Sequence, residues 1–92
     1  MALVIASAVV SGMGSMTQCK NIRSCELVST GIYNLTYADN FNTAPGVAAT
    51  SWGAGNLIGV NIMAENMCQV QVTDLKGNPV NSGFTFIAIG DQ

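Results

Sequence analysis

Asn21-Ile22-Arg23-Ser24-Cys25-Glu26-Leu27-Val28-Ser29-Thr30-Gly31-Ile32-Tyr33-Asn34-Leu35-Thr36-Tyr37 is the stretch on which the reading of the fold turns. Its second half alternates strictly. Tyr33, Leu35 and Tyr37 share one side and Ile32, Asn34 and Thr36 the other, the period of two that marks a half-buried strand. Glu26-Leu27-Val28 reads as a second strand, preceded by the polar run Asn21 to Ser24. Between the two strands stands Gly31, where a tight reversal needs a residue free to take positive φ. The segment is predicted to be a β-hairpin with both tyrosines turned inward.

Working outward, Ala2 to Val10 is an apolar run of Val, Ile and Ala, read as the first strand. A secretory leader would open on positive charge, whereas the first cation here is Lys20, and the run is far shorter than the roughly twenty residues that span a bilayer. Beyond Tyr37, Ala38 to Gly46 is rich in turn formers, a connection pinned to the core by Phe41. Val47 to Trp52 is read as a strand, and Gly53-Ala54-Gly55-Asn56 as an exposed loop. Leu57 to Met63 alternates again, with Ile58, Val60 and Ile62 on one face and Gly59 on the other, a hint of a bulge or a close neighbour.

After a reversal at Glu65-Asn66, Met67 to Thr73 places Cys68, Val70 and Val72 inward and Gln69, Gln71 and Thr73 outward, as in an antiparallel strand with one wet face. Asp74 to Pro79 carries the turn chemistry of Asp, Gly and Asn-Pro. The closing strand, Phe84 to Ile89, is apolar on both faces. Such a strand is central in a sandwich or sits at a subunit contact.

About seven short strands without helical periodicity predict an all-β chain: a small antiparallel β-sandwich, jelly-roll-like, over residues 1–92 as a single domain. Tyr33, Leu35, Tyr37, Val60, Ile62, Val70, Val72, Phe84 and Phe86 are expected between the sheets. The chain is 49% hydrophobic but only 9% charged, against about 25% charged residues in an ordinary soluble domain. So little charge leaves much apolar surface, which calls for copies of the chain to cover one another. Val4, Val9, Ile87 and Ile89 are the expected oligomer contact. A net charge of −2 with only Lys20, Arg23 and Lys76 as cations argues against a phosphate-tracking nucleic-acid binder.

Candidate chemistry is sparse. Cys19, Cys25 and Cys68 cannot all pair within one chain, lack the close spacing of a zinc site, and read best as small buried thiols; a Cys19–Cys25 bridge or a bond between subunits is the alternative. The chain has no histidine. No catalytic constellation surrounds Asp39, Glu26, Glu65 or Asp74, and no nucleophile or phosphate-loop motif is present, so neither an enzyme nor a bound cofactor or metal is expected. Trp52 beside the Gly53 to Asn56 loop is the one candidate ligand contact, a ring on which a sugar could stack; the plainer expectation is a ring closing the rim of the core.

Several of these segments together resemble the C-terminal β-domain of tailed-bacteriophage fibre and minor virion structural proteins. Ala8-Val9-Val10-Ser11-Gly12-Met13-Gly14 is similar to its opening strand and glycine turn, and Asn21 to Ser24 to its approach. Gly31-Ile32-Tyr33-Asn34-Leu35-Thr36-Tyr37 is similar to its Gly-x-Tyr strand, and Val70-Gln71-Val72 with Phe84 to Gly90 to its closing pair. The resemblance implies a virion structural protein, a homotrimer whose partners are itself and other capsid or tail proteins: a fibre, tip or capsid decoration (cement) protein. A host surface glycan as ligand of an adhesin tip, or a secreted β-sandwich module, is the alternative. Two features depart from the pattern: the aromatic-rich strand after Tyr37 is missing, and Met1 stands where the domain would follow a long shaft. A short independent virion protein and an isolated tip domain both fit.

Overall fold

Alternation of apolar and polar residues is carried out in eight strands: β1 (Leu3–Val10), β2 (Met16–Lys20), β3 (Ile22–Ser29), β4 (Ile32–Tyr37), β5 (Gly46–Ser51), β6 (Asn56–Met63), β7 (Met67–Asp74) and β8 (Phe84–Asp91). The structure is a computed structural model and describes residues 3–92, the side chains of Ile62 and Met63 excepted. Ala2, expected in the first strand, and the Ile62 side chain, expected in the core, lie outside the described residues. The strands form two four-stranded antiparallel sheets, β2-β1-β8-β5 and β3-β4-β7-β6. Among the described residues no helix is long and apolar enough to cross a membrane.

The sheets bury one face each against the other. The first contributes Ala6, Ala8, Val10, Phe84, Phe86 and Ala88, and the second Tyr33, Leu35, Tyr37, Cys68, Val70 and Val72. Ile22 and Phe41 complete the buried set. The expected hairpin is present with its inward residues Tyr33, Leu35 and Tyr37 buried, and Gly31 has φ of 75°. Phe41 pins its connection as expected, its ring centroid 4.9 Å from that of Tyr37 in an edge-to-face contact. Val60 is only partly buried, because β6 lies at an edge of its sheet.

Three local expectations need correction. An eighth strand, β2, pairs with β1, and Asn21 to Ser24 is not a polar approach: β3 already begins at Ile22, whose side chain is buried. The β1–β2 register slips between Ser7 and Val9, with Gln18 at a φ of 48°. A bulge of this kind breaks the period of two that would betray the strand. Asn21, at a φ of 58°, then carries the chain from one sheet to the other within a single residue, a left-handed conformation that asparagine tolerates. Third, β5 ends at Ser51 rather than Trp52.

The two inward tyrosines differ in what their hydroxyls reach. Tyr33 Oη donates to the Gly12 carbonyl at 2.7 Å and accepts the Ser82 N–H at 3.2 Å, tying together the loops at one end of the sandwich. Tyr37 Oη is buried beside the Cys68 thiol and, among the described residues, has no hydrogen-bond partner. Removing the hydroxyl therefore has opposite consequences. Tyr33→Phe is expected to cost about 1–3 kcal/mol, because it strands a carbonyl and an N–H. Tyr37→Phe is expected to be neutral, or stabilising by up to about 1 kcal/mol, because it removes a desolvated group that has nothing to bond. Urea unfolding of the two variants checks the contrast, and equal losses would refute it.

Candidate interaction surface

Because side chains alternate across a strand, the face of each sheet turned away from the core is determined by register. On the first sheet the outward row of β1 is Leu3, Ile5, Ser7 and Val9, opposite Asp91, Ile89, Ile87 and Thr85 of β8. Ile89 and Ile87 in turn stand beside Gly46 and Ala48 of β5. Leu3 is 74% exposed, Ile5 45%, Ile87 37% and Ile89 41%, so four large aliphatic side chains share one open face. Charge reaches this face only at its margin, with Asp91 at one end and Lys20 of β2 beside Ser7.

Val9, Ile87 and Ile89 from the expected contact set are thus brought together, and Leu3 and Ile5 join them. Val4 is not: it falls on the inward row with Ala6, Ala8 and Val10. An unbroken apolar run gives no alternation from which to assign its faces, which is why the sequence placed Val4 outward.

Trp52 is 53% exposed, and its indole N–H donates to Thr85 Oγ1 at 3.1 Å. The ring lies against Gly83, where a Cβ would overlap it. Trp52 is therefore held down along the margin of the same outer face, with its ring packed on the backbone of the β7–β8 connection.

The second sheet presents a different outer face. Asn34 and Thr36 of β4, Gln69, Gln71 and Thr73 of β7, and Asn61 of β6 carry it, with Ser24 and Glu26 of β3 alongside. Asn61 Nδ2 donates to Gln69 Oε1 at 2.7 Å, and Gln69 Nε2 donates to Asn34 Oδ1 at 2.9 Å, a carboxamide chain running across three strands. Nothing in the sequence signals that chain, since its members are 8 and 35 residues apart.

The ionisable groups do not converge. Among the described residues no three cysteine and carboxylate side chains gather into a metal-holding group. Asp74 serves its turn: its carboxylate accepts the Lys76 and Asn78 backbone N–H groups at 2.8 and 3.0 Å, and these bonds hold its pKa below the usual carboxylate value. All three thiols are free; Cys68 is buried, whereas Cys25 is only half-buried and Cys19 is exposed, correcting the expectation that they are buried.

Burial pushes the Cys68 thiol up to about 12 and the Cys25 thiol up to about 11, and it raises the Tyr37 phenol beside Cys68. Above about pH 9 the unfolded chain sheds protons that the native chain keeps, so stability is full below that pH and falls as pH rises toward the native values. Each fully buried group adds a slope of at most about 1.4 kcal/mol per pH unit. A lower urea midpoint at about pH 10 than at about pH 8 is the expected result, and an unchanged midpoint would contradict it.

Comparison of the chain with protein-family models, with curated proteins and with solved structures finds no match.

Proposed function

We propose that this chain is a non-catalytic virion structural protein of a bacteriophage, a β-sandwich protomer that assembles as a homotrimer and is displayed on the particle as a fibre, tip or capsid decoration component. The observation that carries the assembly half of this reading is the outer face of β1 and β8. Leu3, Ile5, Ile87 and Ile89 stand open there, with half-buried Val9 in the same row and charge only at the margin. An apolar centre with a polar rim is the anatomy of a protein interface. Contiguous exposed apolar surface on so small a body marks an interaction site. The virion setting and the number three are supported by the resemblance of the hairpin and closing strands to phage fibre domains. A second reading, a glycan-binding adhesin tip, is favoured by the amide-rich face of the other sheet.

Sedimentation at micromolar concentration tests assembly. The expected species is a trimer of the 9.5 kDa protomer. Replacing Ile87 and Ile89 together with lysine should weaken association by at least about tenfold, since association buries the 37% and 41% of these side chains that the protomer leaves open and would have to desolvate two ammonium groups in their place. The β signature in circular dichroism should survive, because neither side chain enters the core. A wild-type chain that sediments as a folded monomer would refute the proposal.

A further inference from the structure

We infer that the outer face of the second sheet holds a binding site for a neutral hydroxylated ligand, a single pyranose ring in size, centred on Gly59. The inference deepens the display half of the reading above and rests on it only in so far as this face is left open by assembly through the other sheet.

A depression of about 300 Å³ opens there, lined by Leu57, Gly59, Asn61, Gln71 and Thr73 among others. That volume is at the small end of ligand sites. Its floor is the glycine. A Cβ added at Gly59 would meet nothing within 4 Å, so no neighbour in the fold requires the missing side chain. A glycine inside a strand costs about 0.5–1 kcal/mol of stability, and because nothing in the fold crowds this position its backbone lies open to close approach from outside.

The walls suit a sugar. The carboxamide chain fixes which way Asn61 points: one of its two N–H groups is committed to Gln69, leaving the other as a donor and Oδ1 as an acceptor. Gln71 stands directly across from Gly59 and takes no part in that chain, so its carboxamide is free to donate and accept at once. Donor and acceptor side by side match two adjacent ring hydroxyls. Thr73 stands across from Leu57, and its hydroxyl donates to the Asp74 carbonyl, so its oxygen is left as a further acceptor. Leu57, 54% exposed, supplies an apolar patch for the C–H face of a ring. Among the described residues no ionisable side chain lines the depression, which suits an uncharged ligand.

The test uses the whole chain labelled with ¹⁵N and titrated separately with the methyl glycosides of glucose, galactose, mannose and N-acetylglucosamine. At least one should move the Gly59 backbone amide and the Asn61 and Gln71 side-chain resonances saturably. Gly59→Val should fold, since valine favours strands and the space is open, and should bind at least about tenfold more weakly. Gln71→Ala should do the same without filling the depression. The inference is overturned if none of the four sugars gives a saturable shift, if the shifts cluster at Trp52 instead, or if both variants bind as tightly as the wild type. Sedimentation of the same samples separates the two claims: a trimer that ignores every sugar removes this site alone, and a monomer that binds one removes the assembly proposal alone.

Discussion

Gly31→Ala is expected to destabilise the domain by about 3–4 kcal/mol, a large share of the whole stability of a domain this size. Two costs add. The native φ of 75° places any L side chain in the left-handed region, worth about 1–2 kcal/mol. A Cβ at this position would also lie 2.5 Å from the Val72 carbonyl oxygen and 3.1 Å from the backbone nitrogen and oxygen of Val80. Those are backbone atoms and cannot swing aside. They are held by the bonds that make the junction: Val72 N–H to the Gly31 carbonyl at 2.8 Å, Val80 N–H to the Val72 carbonyl at 3.2 Å, and Gly31 N–H to Asn81 Oδ1 at 2.8 Å. Gly55 supplies the control. It has a φ of 83°, yet a Cβ there meets nothing within 4 Å, so Gly55→Ala should show only the conformational part, about 1–2 kcal/mol. Urea midpoints for the pair decide the matter, and a Gly31 variant no worse than the Gly55 variant would contradict the close approach.

Phe86→Ala is the second large effect, expected at the upper end of roughly 3–5 kcal/mol. What sets the cost of a deleted ring is how far its surroundings can collapse into the space. Phe86 is paired with Ala8 on one side and Ala49 on the other, and both neighbours are too short to reach into a hole between them. Across the sandwich, the Tyr37 ring lies with its centroid 6.4 Å away, tilted by 35°, and Tyr37 is itself fixed against Phe41. The cavity therefore stays open. Thermal or urea unfolding reads the loss directly, and a deficit below about 2 kcal/mol would mean that the sheets close up after all.

How much of this was legible beforehand depends on whether a residue's neighbours in sequence report its neighbours in space. Strand β4 and the inward face of β7 were legible because alternation runs through them uninterrupted, and the inward face of β8 because its two phenylalanines, Phe84 and Phe86, stand two residues apart. Strand β2 was not, since the bulge at Gln18 and the left-handed Asn21 interrupt the period at the very place where the chain changes sheets. Ala6 and Ala8 carry too weak an apolar signal to be picked as core, yet both are fully buried, and Ala8 is what makes room for Phe86 of β8. On the surface, Val9, Ile87 and Ile89 could be read as a contact because β8 is apolar on both faces. The depression at Gly59 is assembled from β6 and β7 side by side, and only the pairing register shows that Gln71 faces the missing side chain.

The antiparallel pairing of the first and last strands brings Leu3 opposite Asp91, while the Asn42 N–H reaches the Asp91 carbonyl at 2.8 Å. Val10 and Phe84 mark the far end of the same two strands, where the Gly12 to Gly14 turn, the Gly31 reversal and the Asp74 to Asn78 turn gather. Both flanks of the described polypeptide consequently leave from one pole. Anything tethered through either flank, whether a surface support, an affinity tag or a neighbouring protein, holds the body by its base like a bud on a stem and leaves the crown of turns pointing outward.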